Sequence, residues 1–293
     1  MAFRPSSTAL ALPVLAVLAG SLVAAQPASP GLTDVLQRVG ERVEQYFARA
    51  QSIVCLEIVG LMPVDAIGAS RGRTVESELR LSWEPSDENP IPIEARTLRQ
   101  VIKVNGHPPR KNDHDNCTSP EQNTSEVQPL SLLLPRQRDE YTFKLAGPGR
   151  IDNRTAILLD YRMVDKPSVK SELVNGNDEC VSFALDGGMR GRIWIDAETF
   201  DVLRMDQSLM GLVDIPLPRK AASRARSWTM ERWDTSIRFK PVTFQDPHET
   251  LVLPASATSF RITRGAGTPQ LRTSTRYSSY RRFMTGARVL PPQ

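Results

Sequence analysis

Three histidines and three cysteines in 293 residues, with an aromatic share of 6%, leave little material for several kinds of chemistry. A nucleophilic triad needs a histidine beside a serine or cysteine, with an acid to orient it. His107 and His114 fall in a long polar stretch, and His248 sits in "FQDPHETL", a turn leading into a strand. No G-x-S-x-G elbow is present to hold a serine in a strained turn. Zinc asks for four converging ligands, usually in paired short spacings. "HPPRKNDHDNC" crowds His107, Asp113, His114, Asp115 and Cys117, but no second pair follows. Neither "GPGR" nor "LDGGMRGR" has a lysine placed to reach a phosphate or a helix behind it. A net charge of +4 is too small to imply the concentrated basic face that nucleic acid requires. The expectation is therefore a non-catalytic chain with no metal, no cofactor and no nucleic-acid partner.

Long hydrophobic runs are also scarce. There is one, from Ala9 to Ala25, broken only by Pro13, Gly20 and Ser21 and preceded by a single cation, Arg4. It ends in "VAAQ", with small residues at the −3 and −1 positions if cleavage falls between Ala25 and Gln26. That is the layout of a secretory signal peptide. An uncleaved anchor would want roughly 20 unbroken apolar residues. No cysteine follows for lipid attachment, and no later stretch approaches membrane-spanning length. The expected product is a soluble bacterial protein without a transmembrane anchor, periplasmic or secreted.

What is present is periodicity. After the linker 26–31, "LTDVLQRVGERVEQYFARAQ" places Val35, Leu36, Val39, Val43, Tyr46, Phe47 and Ala50 on one helical face. Arg38, Glu41, Arg42, Gln45 and Arg49 hold the other, and Thr33 or Asp34 is the expected cap. From about residue 53 the period becomes two. Val75, Leu79, Leu81 and Trp83 share a face, as do Leu98, Ile102 and Val104. Tyr141, Phe143 and Leu145 follow, then Ile157, Leu159, Tyr161 and Met163, then Trp233, Ile237 and Phe239. "GRIWIDAETFDVLRMD" reads as a hairpin turned at "DAET", and 23 prolines suit many strand ends. Repeated alternation of this kind means antiparallel strands with one wet face, roughly ten of them. "VQPLSLLLP" reads as an apolar segment tucked under the sheet, and 216–227 as a basic loop.

Ten one-sided strands expose more apolar surface than one helix can cover, so the sheet must curl around its own apolar face. The fold class expected is α+β: a curled antiparallel half-barrel with the amphipathic helix across its concave face, in a single domain over 32–286, followed by a tail over 287–293. A partly open cavity would remain beneath the helix. Its expected lining is Leu79, Leu81, Trp83, Leu98, Ile102, Tyr141, Phe143, Ile157, Leu159, Tyr161, Trp233, Ile237 and Phe239. Trp194 and Arg204 join them, because each interrupts the hairpin's alternation. Three cysteines in an oxidising compartment suggest one bridge and one leftover. Cys117 and Cys180 lie in polar, turn-rich surroundings and are expected to pair, while Cys55 in "SIVCLEIV" stays free and buried. Closing that loop could add about 4 kcal/mol on a chain-entropy estimate.

This combination of an exported chain, an N-terminal amphipathic helix and hairpins like "GRIWIDAETFDVLRMD" resembles the lipoprotein-carrier (Lol-type) superfamily of periplasmic half-barrels, over residues 32–285. "DPHETLVLPAS" and "RYSSYRRF" are similar to uncharacterised exported proteins of soil bacteria. The resemblance implies a half-barrel with a hydrophobic cavity under a helix, and no cargo-handling residue can be matched individually. The expected function is binding of a lipid-like or other apolar small molecule. The alternatives are a cell-envelope protein–protein interaction module with no small ligand and, third, an exported enzyme. N-terminal sequencing of exported protein should return Gln26 as the first residue; recovery of an intact Met1 would overturn the assignment of an exported chain.

Overall fold

Val35, Val39, Val43, Tyr46 and Phe47 recur every three or four residues and form the buried stripe of a helix, α1 (Leu32–Arg49). The computed structural model describes residues 30–49, 53–65, 68–69, 72–82, 96–110, 113, 129–174, 177–218 and 228–282. The helix starts earlier than its polar residues suggest. Gly31 supplies the carbonyl that accepts the first helical bond, from the Val35 N–H at 3.0 Å. Thr33 and Asp34 lie inside the first turn, where Asp34 pairs with Arg38 at 3.0 Å and sits at the favourable end of the helix dipole.

The strands are β1 (Ile53–Asp65), β2 (Gly68–Ala69), β3 (Arg73–Ser82), β4 (Arg96–Val104), β5 (Tyr141–Ile151), β6 (Arg154–Met163), β7 (Ser168–Val174), β8 (Asn177–Asp186), β9 (Met189–Asp196), β10 (Val202–Leu209), β11 (Val213–Ile215), β12 (Trp228–Gln245), β13 (His248–Arg264) and β14 (Gln270–Arg282). Ten of them form one antiparallel path, β4-β3-β1-β14-β13-β12-β10-β9-β6-β5. The short β2 and β11 flank β1 and β12, and β7 and β8 pair with each other in a separate hairpin. That hairpin passes into β9 through Gly187 and Gly188, at φ +76° and +69°, a region that glycine occupies without steric cost. The open sheet and its single N-terminal helix make the expected half-barrel.

One face of the sheet is the core. Following the register across the strands, Leu159, Ile193, Met205, Ile237, Ala257, Thr275, Val59 and Val75 stand side by side, all buried. α1 and the 3-10 segment Pro129–Leu133 cover this face, and a second 3-10 segment, Pro135–Glu140, follows without a buried residue. Leu130, Leu132, Leu133 and Leu134 are buried there, as the run "VQPLSLLLP" suggests. Arg138 ties the segments to the helix. Its guanidinium donates to the Leu133 carbonyl at 3.1 and 3.2 Å and to the Leu36 carbonyl. It lies so close over Gly40 that a β-carbon there would collide with it. Burial lowers the Arg138 pKa.

The edge strand β4 departs from the simple alternation. Its register with β3 steps from Lys103↔Glu76 to Val101↔Ser77, leaving Ile102 as an extra residue. Such a bulge exchanges the two faces of a strand. Val104 therefore faces the core beside Val75, whereas Leu98 and Ile102 are 61% and 43% exposed and do not line it. Arg99 takes the inward phase instead, opposite Leu79. It meets Glu57 through a two-bond pair at 2.7 and 3.1 Å, with side chains only 7% and 2% exposed. Breaking a buried pair by removing one partner costs about 3–5 kcal/mol. Residues 1–29, which include Ala25 and Gln26, lie outside the described residues, as do Trp83, Cys117, 219–227 and 287–293. The side chains of Leu81 and Cys180 lie outside them too.

Cys55 is a free thiol buried on the inward face of β1. Burial pushes its pKa up to about 12, with Glu57 adding to the rise and a hydrogen bond with Tyr280 opposing it. Because folding raises this pKa above its ordinary value of 9.0, the associated stability is intact below about pH 9 and is lost as the pH climbs towards 12. At pH 8 a small thiol reagent should label no cysteine in native, oxidised protein. After denaturation without reductant it should label one, Cys55. Additional labels after denaturation would remove the Cys117–Cys180 bridge; native labelling of Cys55 would contradict its burial.

Candidate functional site

Two apolar clusters share the inward face and a polar rung separates them. The first lies under α1 and contains the row Leu159–Ile193–Met205–Ile237–Ala257. The second contains Met189, Leu209, Val213, Ile215 and Met230, and Val169, Phe183 and Leu185 of the β7–β8 hairpin pack against it. Between them the register aligns Tyr161, Gly191, Gln207, Thr235, Ser259 and Thr273 on consecutive strands. All of these except Tyr161 are half-buried. At a strand spacing of about 4.8 Å the rung is a trough about 24 Å long.

The rung's polar groups are weakly satisfied by one another. The Tyr161 hydroxyl reaches Gln207 Oε1 at 3.4 Å, and Thr235 Oγ1 reaches Ser259 Oγ at 3.5 Å. Good hydroxyl bonds run nearer 2.7–2.8 Å. A sealed core would make such groups costly, so the trough suits water or a ligand that offers partners. Burial holds the Tyr161 phenol protonated by raising its pKa, with Tyr141 and Asp206 adding to the effect. Burial likewise raises Tyr141 to about 12. Aromatic rings flank the rung at its Tyr161 end and alongside Thr235 on β12. Tyr141 stands 6.1 Å from Tyr161 edge to face and 6.0 Å from Phe143, while Phe183 meets Trp233 edge to face at 6.4 Å.

Of the residues expected to line a cavity, Leu79, Tyr141, Phe143, Ile157, Leu159, Tyr161, Ile237 and Phe239 belong to the helix-covered cluster, and Trp233 to the hairpin-covered one. Gln207, Thr235, Ser259 and Arg261 also face inward and are polar, so the apolar alternation does not reveal them; Phe183 lies on the separate β7–β8 hairpin. The signal is present in "MDQSL" and "WDTSIRF", where a polar residue occupies the phase that is apolar on either side, and in "ATSFRIT", where that phase turns polar from Ser259 onward.

Trp194 and Arg204 require correction. They are cross-strand partners on the opposite face, out of phase with Ile193 and Met205. The Arg204 guanidinium stacks over Trp194 at 4.7 Å and pairs with Asp206 at 2.7 Å. The hairpin's mixed second face is thus a solvent face on which an aromatic ring is covered by a cation. Around it runs a groove of about 870 Å³ lined mainly by outward residues such as Asp160, Arg162, Arg190, Arg192, Phe260 and Arg272. Tyr161, Gly191, Gln207, Thr235 and Ser259 of the same strands also line it. Arg192 pairs with Asp160 at 2.5 Å, which holds that carboxyl below its usual range.

His107 and Asp113 approach to 4.0 Å, and among the described residues no group of three histidine, cysteine or acidic side chains could hold a metal. No described helix is long and apolar enough to cross a membrane.

No family model and no curated protein matches the chain. Among solved structures it is similar to a domain classed with outer membrane lipoprotein sorting from Vibrio parahaemolyticus, at 12% identity over 86% of this chain and 92% of that one, TM-score 0.36. It is similar to a DUF1329 family protein from Desulfovibrio piger, at 11% identity over 86% and 92%, TM-score 0.35. It is also similar to a LolA superfamily protein from Nitrosomonas europaea, at 10% identity over 85% and 94%, TM-score 0.32.

The trough floor is tight at Gly191. An added β-carbon would strike the Asp206 carbonyl oxygen and the Tyr161 ring. Gly191→Ala should destabilise the protein by about 1–3 kcal/mol, read as a lowered thermal midpoint. Gly267→Ala, where open space surrounds the site, should leave the midpoint near its original value.

Proposed function

We propose that the chain is an exported, non-catalytic binding protein of the bacterial periplasm that holds a lipid-like or other apolar ligand in the trough. The observation that carries this reading is a weakly satisfied polar rung, half-open, between two apolar banks on the covered face of the sheet. Ligand sites are commonly concave, mostly apolar and fitted with a few oriented polar groups. Here Phe143, Met163, Phe183 and Trp233 supply partly exposed apolar surface, and Tyr161, Gln207, Thr235 and Ser259 supply donors and acceptors. The apolar run ending at Ala25 supports the export part of this reading.

A cell-envelope interaction module is the second reading, and the outward groove favours it. Arg162 and Arg190 are direct cross-strand partners there. Both are exposed, and neither has an acidic partner among the described residues. Opposed like charges are unfavourable, and an acidic partner surface would relieve them.

A polarity-sensitive fluorescent fatty acid separates the two. It should bind the mature protein, and Thr235→Phe, which fills the trough, should weaken binding at least about tenfold, a loss of roughly 1.4 kcal/mol. Arg190→Glu, on the far face, should leave binding unchanged. A folded protein that binds no apolar probe would favour the interaction module.

A further inference from the structure

We infer that the ligand of the trough carries an anionic head group, and that Arg261 receives it; the inference rests on the trough being the ligand site. Arg261 extends from β13 on the inward face, between its cross-strand partners Trp233 and Leu271 and two residues from Ser259 of the polar rung. Its guanidinium lies 5.1 Å above the centre of the Phe183 ring.

The other half-buried arginines make the contrast. Arg42, Arg99, Arg192, Arg204 and Arg282 each pair with a carboxylate. Arg73 and Arg138 donate to backbone carbonyls. Arg261 is the one half-buried arginine among the described residues that meets only a ring. A guanidinium carries five N–H donors in a planar fork suited to carboxylate or phosphate. Stacking on an aromatic ring offsets part of the cost of removing it from water but satisfies none of those donors. Burial accordingly lowers its pKa without an opposing charge.

The position fixes what an occupant must look like. A head group at Arg261 leaves Trp233, Phe183, Met163 and Phe143 for an apolar chain, with Thr235, Ser259 and Gln207 along its path. A single-chain amphiphile with a carboxylate or phosphate head fits that order of groups. A neutral amphiphile would fill the same apolar surface and leave the guanidinium without an acceptor.

The test uses the mature protein loaded with a neutral, polarity-sensitive probe. Laurate, dodecyl phosphate and methyl laurate then displace it, each below its micelle concentration. Laurate or dodecyl phosphate should displace the probe at least about tenfold more effectively than methyl laurate, and their relative strength identifies the head group. Arg261→Met keeps an apolar stem over Phe183; it should bring all three ligands within about twofold while leaving methyl laurate unchanged. Equal displacement by all three from the unaltered protein overturns the inference while the trough reading stands, whatever the folding of the variant. Failure of the neutral probe and all three ligands to bind removes the trough reading itself.

Discussion

One helix and one hairpin must cover the inward face of a ten-stranded sheet, and the arrangement of the molecule follows from that shortage. α1 offers a single stripe, Val35 to Phe47, and the leucines between Leu130 and Leu134 widen it. The β7–β8 hairpin lies over the other end with Phe183, Val169 and Leu185. The strands respond in their inward phase. They are mostly apolar beneath the covers, with Glu57, Ser77, Thr263 and Thr275 as buried exceptions, and polar and half-buried in the rung from Gly191 to Thr273. Apolar side chains left uncovered there would cost about 25 cal/mol for each Å² exposed to water. Hydroxyls and an amide in the rung reduce that cost while keeping the strand register intact.

Much of this was legible in the sequence because both periods are physical. The helical stripe from Val35 to Phe47 and the alternation around Leu159, Met205 and Ile237 each follow from which side chains must leave water. What escaped the pattern had local causes. Ile102 is the extra residue of a bulge, and no alternation rule announces where a strand will spend one. Trp194 stands out from the alternation because a large ring ordinarily favours the core. On the solvent face it is covered by Arg204, and long cationic side chains do this readily. The polar rung was hidden differently. Gln207, Thr235 and Ser259 lie on three strands separated in sequence, and only the pairing brings them into line.

The two faces also treat charge in opposite ways. Outward arginines such as Arg192, Arg204 and Arg232 meet aspartates on their own or a neighbouring strand. Exposed pairs of this kind contribute little, up to about 1 kcal/mol each, and their value is in keeping a broad sheet surface wet. Inward, Arg99 and Glu57 are nearly dry and locked together. They anchor the edge strand β4 to β1 across β3, where the bulge has turned Leu98 and Ile102 away from the core.

The hairpin's bonding sets it apart in a further respect. β7 and β8 pair with each other and with no strand of the main sheet, and they leave through two consecutive glycines. A lone hairpin is marginally stable in water without packing, so the second cluster is what keeps this one in place. Lifting it breaks no rung of the ten-stranded ladder. Amides of Ser168–Val174 and Asn177–Asp186 thus form their own cooperative unit, able to exchange with solvent by opening locally while the rest of the sheet stays closed.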